Sequence, residues 1–99
     1  MKTRNENLII DKEDAHNLPV GSKYYKAVYM DDLGEHSIDT IGRFRSMEDL
    51  NEYCQQWCYD EIDDYEQAIK IVTYEIMDSG KFKCINKEIV WFGCIEEDD

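Results

Sequence analysis

The spacing of apolar residues predicts two strands and a tight turn in the first half of the chain. Residues 23–30 (KYYKAVYM) and 37–44 (SIDTIGRF) alternate loosely between apolar and polar positions. Both segments contain aromatic and β-branched side chains, a composition typical of strands. The residues between them include DDLGE at 31–35, which favours a reversal of the chain. We therefore expect a β-hairpin over residues 23–44.

The apolar spacing becomes helical after Ser46. The Ser46 hydroxyl is suited to cap a helix, and Asp49, three residues later, can reach back in a variant of the capping box. Residues 60–64 are open to two interpretations, a continued helix or a loop, because Asp is a poor helix former. The apolar residues that follow Ser46 recur mostly every three or four positions and form one helical stripe, namely Met47, Leu50, Cys54, Trp57 and Cys58.

The last third of the chain predicts further strands. Residues 68–77 form a long run rich in β-branched residues, and DSG at 78–80 supplies a turn. Residues 81–85 and 88–95 are either two short strands or one long bent strand, with a break at residues 86–87. The element order is β-β-α-β-β(-β). We therefore expect an α+β fold, in which an antiparallel sheet of four to five strands has one main helix packed on a face.

The chain is expected to form a single domain, residues 1–99, with three parts. Residues 1–22 are polar and contain the only proline, and we interpret them as an N-terminal arm with a turn of helix at residues 11–17. Residues 23–95 form the core, and residues 96–99 form an acidic tail. A chain of 99 residues, 42% of them hydrophobic, can bury one modest core but not a large cofactor cleft with a separate substrate domain.

Acidic residues dominate the charge and are concentrated in two segments. Asp and Glu number 23 against 11 Lys and Arg, which gives a formal net charge of −12. Residues 46–66 contain eight acids and no base, and residues 96–99 add four acids. The remainder of the chain carries equal numbers of acids and bases. The eight acids of the first segment are Glu48, Asp49, Glu52, Asp60, Glu61, Asp63, Asp64 and Glu66.

This charge bears on the choice of partner. It disfavours direct binding to nucleic acid, whose phosphates would repel the protein, and it favours a basic partner. Anionic membrane surfaces are disfavoured for the same reason. No segment approaches the roughly 20 apolar residues that a membrane span requires, and residues 1–7 (MKTRNEN) lack the features of a signal peptide. We therefore expect a cytoplasmic protein with reduced thiols.

The four cysteines are interpreted as small buried hydrophobes. Cys54 and Cys58 share a face of the predicted helix, whereas Cys84 and Cys94 lie on predicted strands. Common zinc sites take paired ligands from knuckle turns, usually twice, and this arrangement differs from them. A zinc-dependent module and a disulfide or redox role stay open as alternatives, and metal analysis of the purified protein would decide the first.

No motif in the sequence indicates catalysis. His16 and His36 lie in predicted loop or turn segments, without a nearby Cys or Ser in a recognisable nucleophile pattern. The acids of residues 60–66 lack the glycine and the alternating ligands of an EF-hand loop. That segment also lacks the Lys or His that a two-metal nuclease normally contributes. We therefore expect no catalytic residue, no metal and no cofactor, and a protein that is not an enzyme.

Acids on the outer face of the predicted helix would present negative charge at a regular pitch. Glu48 and Glu52 lie about 6 Å apart along a helix axis, and phosphates of one DNA strand lie about 3.4 Å apart along the duplex axis. Carboxylates at such a spacing can occupy grooves that accommodate phosphates, through an attraction that salt weakens. Tyr53, Tyr59 and Tyr65 are interleaved with these acids, and tyrosine is enriched at protein interfaces.

The acidic segment at 46–66, the tail at 96–99, the hairpin–helix–hairpin order and the small size together carry a resemblance. The chain resembles the small acidic proteins that phages and mobile elements use against host defence, the anti-CRISPR proteins and other nucleic-acid-mimic inhibitors. The resemblance implies a non-enzymatic, stoichiometric inhibitor that blocks the nucleic-acid groove of a basic protein such as a CRISPR effector. A phage-encoded inhibitor would act in the host cytoplasm.

We expect the partner-binding residues to be Glu48, Glu52, Tyr59, Asp60, Asp63, Asp64 and Glu66, with Tyr53 or Tyr65 as further anchors. The alternative is a small adaptor or assembly protein that pairs through a sheet edge or a tyrosine patch, with acids that serve only solubility. The salt dependence of partner binding separates the two interpretations, because salt weakens contacts between charges much more than apolar contacts.

Overall fold

The computed structural model describes residues 5–31, 33–61, 67–78 and 81–92, with the side chains of Tyr59 and Glu61 excepted. The elements are a 3-10 turn at Glu6–Leu8, β1 at Ile9–Ile10, α1 at Lys12–His16, β2 at Lys23–Met30, β3 at Ser37–Phe44, α2 at Met47–Glu61, β4 at Gln67–Ile76 and β5 at Phe82–Phe92. Within the described residues, five strands form one antiparallel sheet in the order β1-β3-β2-β4-β5. The predicted α+β fold is confirmed, because α2 packs on one face of this sheet.

The strands lie close to their predicted positions. β2 and β3 have the predicted bounds and pair as a hairpin, and β4 begins and ends one residue earlier than predicted. β5 is one long strand, as in the second of the two interpretations. The register of the β4–β5 ladder shifts between Thr73 and Tyr74, so Ile85 has no partner residue on β4 and forms a β-bulge.

Strand β1 is a feature that the sequence pattern did not predict. Its two residues pair with the end of β3, Ile9 with Phe44 and Ile10 with Arg43. Two apolar residues are too few for an alternating pattern to be recognised. Gly42 lets β1 pack tightly on β3, because a Cβ at this position would lie 3.1 Å from Ile9 Cδ1. Residues of the predicted arm therefore extend the sheet.

Helix α2 begins where the capping residue predicts. The backbone N–H of Asp49 donates to Ser46 Oγ at 3.1 Å, which satisfies one of the unpaired donors of the first turn. The predicted stripe is buried at its centre, since Leu50, Cys54 and Cys58 are fully inaccessible to solvent. The helix includes residues 60 and 61, whereas residues 62–64 of the segment with two interpretations lie outside the described residues.

The main core lies between α2 and one face of the sheet. Successive strand residues point to opposite faces, so the face that meets α2 carries alternate residues of each strand. The ring of Tyr29 meets that of Trp57 edge-on, with centroids 5.0 Å apart. The buried members of this core are Ala27, Phe44, Leu50, Tyr53, Cys54, Cys58, Ile69, Ile71 and Phe92.

The opposite face of the sheet is covered at one end by α1. Asp11 caps this short helix, because its Oδ1 accepts from the N–H of Asp14 at 3.1 Å. Ala15 is fully buried and packs in a second cluster with Ile10, Tyr24 and Ile76. The turn of helix predicted at residues 11–17 is confirmed.

Two β-bulges bend the first half of β3. Ile38 and Ile41 have no partner residues on β2, because the register of the β2–β3 ladder shifts at each of them. Bulges increase the local twist and bend the strand that contains them. Residues 37–40 consequently border a concave surface on the sheet face opposite α2, together with side chains of β2, β4 and β5.

Candidate functional site

The outer surface of α2 carries the acids that the sequence predicts for partner binding. We call the exposed surface that carries Glu48, Glu52 and Asp60 the acidic face. At about 100° per residue Glu48 and Glu52 lie close together around the helix, whereas Asp60 lies on the flank, about 80° from Glu52. Their orientation follows from the buried stripe, because the core fixes which side of α2 faces solvent. Residues 47–61 contain no Lys or Arg, so no basic residue of the helix itself neutralises these carboxylates.

The acidic face extends along most of α2. At about 1.5 Å per residue, Glu52 lies about 6 Å from Glu48 along the axis and about 12 Å from Asp60. Asp60 Oδ1 accepts a hydrogen bond from Gln56 Nε2 at 3.2 Å, which holds this carboxylate one turn from the amide. Asp49 is half-buried at the start of the helix, where its backbone N–H donates to the capping hydroxyl of Ser46.

Four of the seven predicted partner-binding side chains fall outside the description. The backbone of Tyr59 belongs to α2, but its side chain lies outside the described residues, as do Asp63, Asp64 and Glu66 in full. The geometric evidence for the acidic face therefore rests on Glu48, Glu52 and Asp60.

Tyr53 is not a surface anchor, and the expectation that it would be one is wrong. Its side chain is only 5% exposed, and its ring centroid lies 5.5 Å from that of Phe44 in the core. The position falls on the flank of the helical stripe, where a large aromatic ring reaches the sheet. The second tyrosine proposed as an additional anchor, Tyr65, lies outside the described residues.

The Tyr53 hydroxyl brings a further carboxylate to the helix. It donates to Glu6 Oε2 at 3.2 Å, across 47 positions of the sequence. Glu6 is exposed in the 3-10 turn that packs beside α2. Sequence reasoning missed this acid, because nothing in the local pattern indicates that the start of the chain returns to the helix.

The outer edge of β5 is a second candidate surface. In the described part of the chain β5 pairs with β4 alone, so its other edge presents unpaired backbone groups. Large apolar side chains on this strand are strongly exposed, with values of 41% for Phe82, 41% for Ile85, 41% for Ile89 and 49% for Trp91. An exposed, long and apolar edge strand is a template for pairing with another chain.

The cysteines divide into two environments. Cys54 and Cys58 are buried, as the sequence predicts, and burial raises the pKa of the Cys54 thiol, with a smaller contribution from Cys58. The prediction of burial is wrong for Cys84, which lies exposed on β5 because this strand is at the edge of the sheet. Cys94 lies outside the described residues.

The histidines are also separated from one another. His16 is the last residue of α1, within the turn of helix predicted at residues 11–17, and its ring stacks on Phe82 with centroids 4.4 Å apart. His36 is exposed in the turn before β3. Among the residues that the structure describes, no three His, Cys, Asp or Glu side chains are grouped so that they could hold a metal ion.

The longest described helix, α2 with 15 residues, is too short and too polar to cross a bilayer, and no other helix in the described ranges meets that requirement. Comparisons of this chain with protein-family models, with curated protein sequences and with solved structures find no match.

Proposed function

We propose that the protein is a non-enzymatic, stoichiometric inhibitor that binds a basic nucleic-acid-handling protein, such as a CRISPR effector, through the acidic face of α2. The observation that carries the proposal is the composition of this helix. It holds five acids and no base over Met47–Glu61, and Glu48 and Glu52 point away from the buried stripe.

Carboxylates on a rigid helix can replace phosphates in a cationic groove. The core holds α2 against the sheet through Leu50, Cys54 and Cys58, so the acidic face is preorganised and loses little conformational entropy on binding. A groove that evolved to bind a polyanion supplies the complementary charge, which accelerates association and makes it sensitive to salt. In this mechanism Asp60, with Asp63, Asp64 and Glu66, would extend the row of charges, and Tyr59 would add apolar contact.

The first experiment is capture of the partner by tagged protein from a bacterial lysate, with identification of the protein that high salt releases. The identified partner is then tested for competition between this protein and its own nucleic acid. We expect mutually exclusive binding, since both ligands would occupy one groove.

Charge-reversal variants test the assigned surface. Glu48→Lys with Glu52→Lys is expected to weaken binding at least tenfold, and the triple reversal of Asp60, Asp63 and Asp64 to Lys is expected to abolish it. A matched control, Glu35→Lys with Asp78→Lys, makes the same change in net charge at exposed positions outside α2. An equal loss in the control pair would show that net charge, and not this face, governs binding.

A second candidate function is supported by the β5 edge. An adaptor or assembly protein would pair through this strand and use the exposed Ile89 and Trp91 as apolar contacts. Binding of that kind depends little on ionic strength. A partner that remains bound in high salt, and that is lost on Ile89→Lys but not on reversal of Glu48 and Glu52, would favour this second candidate.

A further inference from the structure

The sheet face opposite α2 holds a cluster of cations in a protein of strongly negative net charge. Lys26 on β2, Lys70 on β4 and Lys87 on β5 line one groove of about 380 Å³. Val72, which is only 4% exposed, lies at its floor. We call this concavity the basic groove.

The strand register explains why these three lysines meet. Lys26 lies directly across the β2–β4 ladder from Val72, and Val72 lies directly across the β4–β5 ladder from Lys87. Lys70 precedes Val72 by two positions and therefore points to the same face. Diagonal neighbours on one face of a sheet are about 7–8 Å apart, which is within reach of long side chains. The three ammonium groups thus surround one buried valine.

The bend in β3 makes the surface concave. The bulges at Ile38 and Ile41 bring residues 37–40 to the border of the groove, where Ser37 and Thr40 offer hydroxyl groups. Among the described residues that line the groove, Asp39 supplies the single carboxylate. Its Oδ1 already accepts from the N–H of Thr40 at 2.9 Å.

The cationic surface continues beyond the groove toward α1. A smaller cavity of about 130 Å³ adjoins it, shares Lys26 and Tyr74 with it, and has no described carboxylate in its lining. It adds Lys12 and Arg43 to the cluster. Burial lowers the pKa of Lys26, and the cations that lower it further are Arg43, Lys70 and Lys12. Positive charge is therefore concentrated here, and Asp39 is the one carboxylate among the described residues that line the two cavities.

We propose that the basic groove binds a compact ligand that carries two or more phosphoryl groups, of about the size of a nucleoside triphosphate. Lysine ammonium groups and hydroxyl donors are suited to phosphate oxygens. A volume of about 380 Å³ lies within the usual range of small-molecule sites, about 300–1,000 Å³. The half-buried ring of Tyr74 at the groove wall provides an apolar surface for a base or a similar flat group.

A compact ligand suits this surface better than a long polyanion. Charges farther apart than about 8 Å are largely screened at physiological ionic strength, so a small ligand in the groove interacts mainly with the nearby lysines. A longer strand would leave the groove and meet a protein whose net charge is −12. The inference is independent of the proposed function, because α2 and the groove lie on opposite faces of the sheet.

The test is isothermal titration calorimetry of the full chain with inorganic pyrophosphate, ATP, AMP and a 15-nucleotide oligothymidine as probes, without divalent cations. We expect pyrophosphate and ATP to bind, AMP to bind at least tenfold more weakly than ATP, and added salt to weaken each complex. Amide resonances of Lys26 and Val72 should shift with the same titration curve.

The variant pair Lys70→Gln with Lys87→Gln should weaken ATP binding at least tenfold. The matched control, Lys23→Gln with Lys83→Gln, makes the same charge change at exposed positions of β2 and β5 that face the other side of the sheet. It should change the affinity less than twofold. Unaltered thermal unfolding of each variant verifies that the fold persists, and the single variant Lys87→Glu, at an exposed position, repeats the test if the pair unfolds.

Three results would overturn the inference. Failure of pyrophosphate and ATP to bind would show that the groove is not a site for phosphoryl groups. Equal losses in the two lysine pairs would show attraction to overall charge alone. Tighter binding of the oligothymidine than of ATP would show that the groove serves a polymer instead of a compact ligand.

Discussion

The side-chain amide of Gln67 donates a hydrogen bond to the backbone carbonyl of Met30. Gln67 Nε2 donates to Met30 O at 2.6 Å and to Ala68 O at 3.1 Å, and the glutamine is only 4% exposed. This amide links the first residue of β4 to the last residue of β2, where the chain enters the turn of the hairpin. It is one of two buried polar side chains among the described residues, the other being Thr73.

Replacement of Gln67 by Met is therefore expected to destabilise the protein by about 1–3 kcal/mol, because it leaves a buried carbonyl without its donor. The free energy of unfolding in urea measures the effect. The control is Gln56→Met, which removes an exposed hydrogen bond to Asp60 by the same chemical change. We expect that control to lie within about 0.5 kcal/mol of the wild type. Equal stability of Gln67→Met and the wild type would contradict the burial of this amide.

Local sequence patterns predict the bounds of individual strands and the start of the helix, but not the contacts and register between separate elements. The bounds of β2 and β3 follow from loose alternation, and the start of α2 follows from Ser46. The bulges at Ile38 and Ile85 leave no such signal, because a register shift depends on the partner strand as well as on the residue itself. The burial of Tyr53 is not predicted from the sequence for a related reason, since its contact with Phe44 joins separate elements.

The two candidate sites also differ in how far local sequence predicts them. The exposure of Glu48 and Glu52 follows from the apolar stripe on one helix. The basic groove brings together lysines of β2, β4 and β5, which the strand order makes neighbours. Charge counting concealed this cluster, because acids and bases balance in the chain outside the two acidic segments. A balanced total does not reveal how charges are distributed over a folded surface.

Lys26 gives a prediction about pH. Burial and neighbouring cations lower its pKa, so the unfolded chain holds this proton over a pH range in which the folded protein has released it. In that range the stability contributed by Lys26 rises with pH, up to its unfolded value of about 10.4. At pH 7 the protonated side chain destabilises the folded protein, because burial and the neighbouring cations disfavour its charge. Lys26→Met is therefore expected to raise the melting temperature at pH 7 and to remove the contribution of Lys26 to the pH dependence of stability just below about pH 10.4.

The measurement is thermal unfolding as a function of pH at low and high salt, and the increase at pH 7 should shrink as salt screens the other cations. Lys23→Met, at an exposed position of the same strand, serves as the control. A lower melting temperature for Lys26→Met than for this control would show that the aliphatic part of Lys26 outweighs the charge repulsion.

The bulge at Ile85 gives a prediction about register. Phe82 lies three residues before it and packs on His16 and Tyr74, with ring centroids 4.4 Å and 5.1 Å away. Deletion of Ile85 would close the bulge and leave residues 82–84 opposite their present partners on β4, because Ile85 is the extra residue without a partner. Phe82 therefore keeps both aromatic contacts, and the free energy of unfolding is expected to change by less than about 1 kcal/mol.

Chemical denaturation measures this change, and Ile85→Thr is the matched variant. It changes the exposed side chain while keeping the extra residue, so we expect it to remain within about 0.5 kcal/mol of the wild type. A loss of more than about 2 kcal/mol in the deletion variant alone would contradict the register that places Phe82 opposite Ile76.

The cysteines give a prediction about reactivity. The thiolate is the reactive form, and burial raises the pKa of Cys54. With iodoacetamide at pH 8, Cys84 should be modified in the native protein, while Cys54 and Cys58 react only as the protein unfolds. Mass mapping of digested protein measures each rate, and urea-denatured protein provides the reference. Modification of Cys54 as fast as Cys84 under native conditions would contradict the packing of α2 on the sheet.

The positions of the acidic face and the basic groove on opposite sides of the sheet have a consequence for how the molecule approaches another protein. Among the described residues, the carboxylates of Glu48 and Glu52 and the ammonium groups of the basic groove place opposite charges on the two sides of the sheet. A basic surface attracts the first group and repels the second, which favours an approach with the helix leading. This placement of charge bears on the orientation of the first encounter, as well as on its rate.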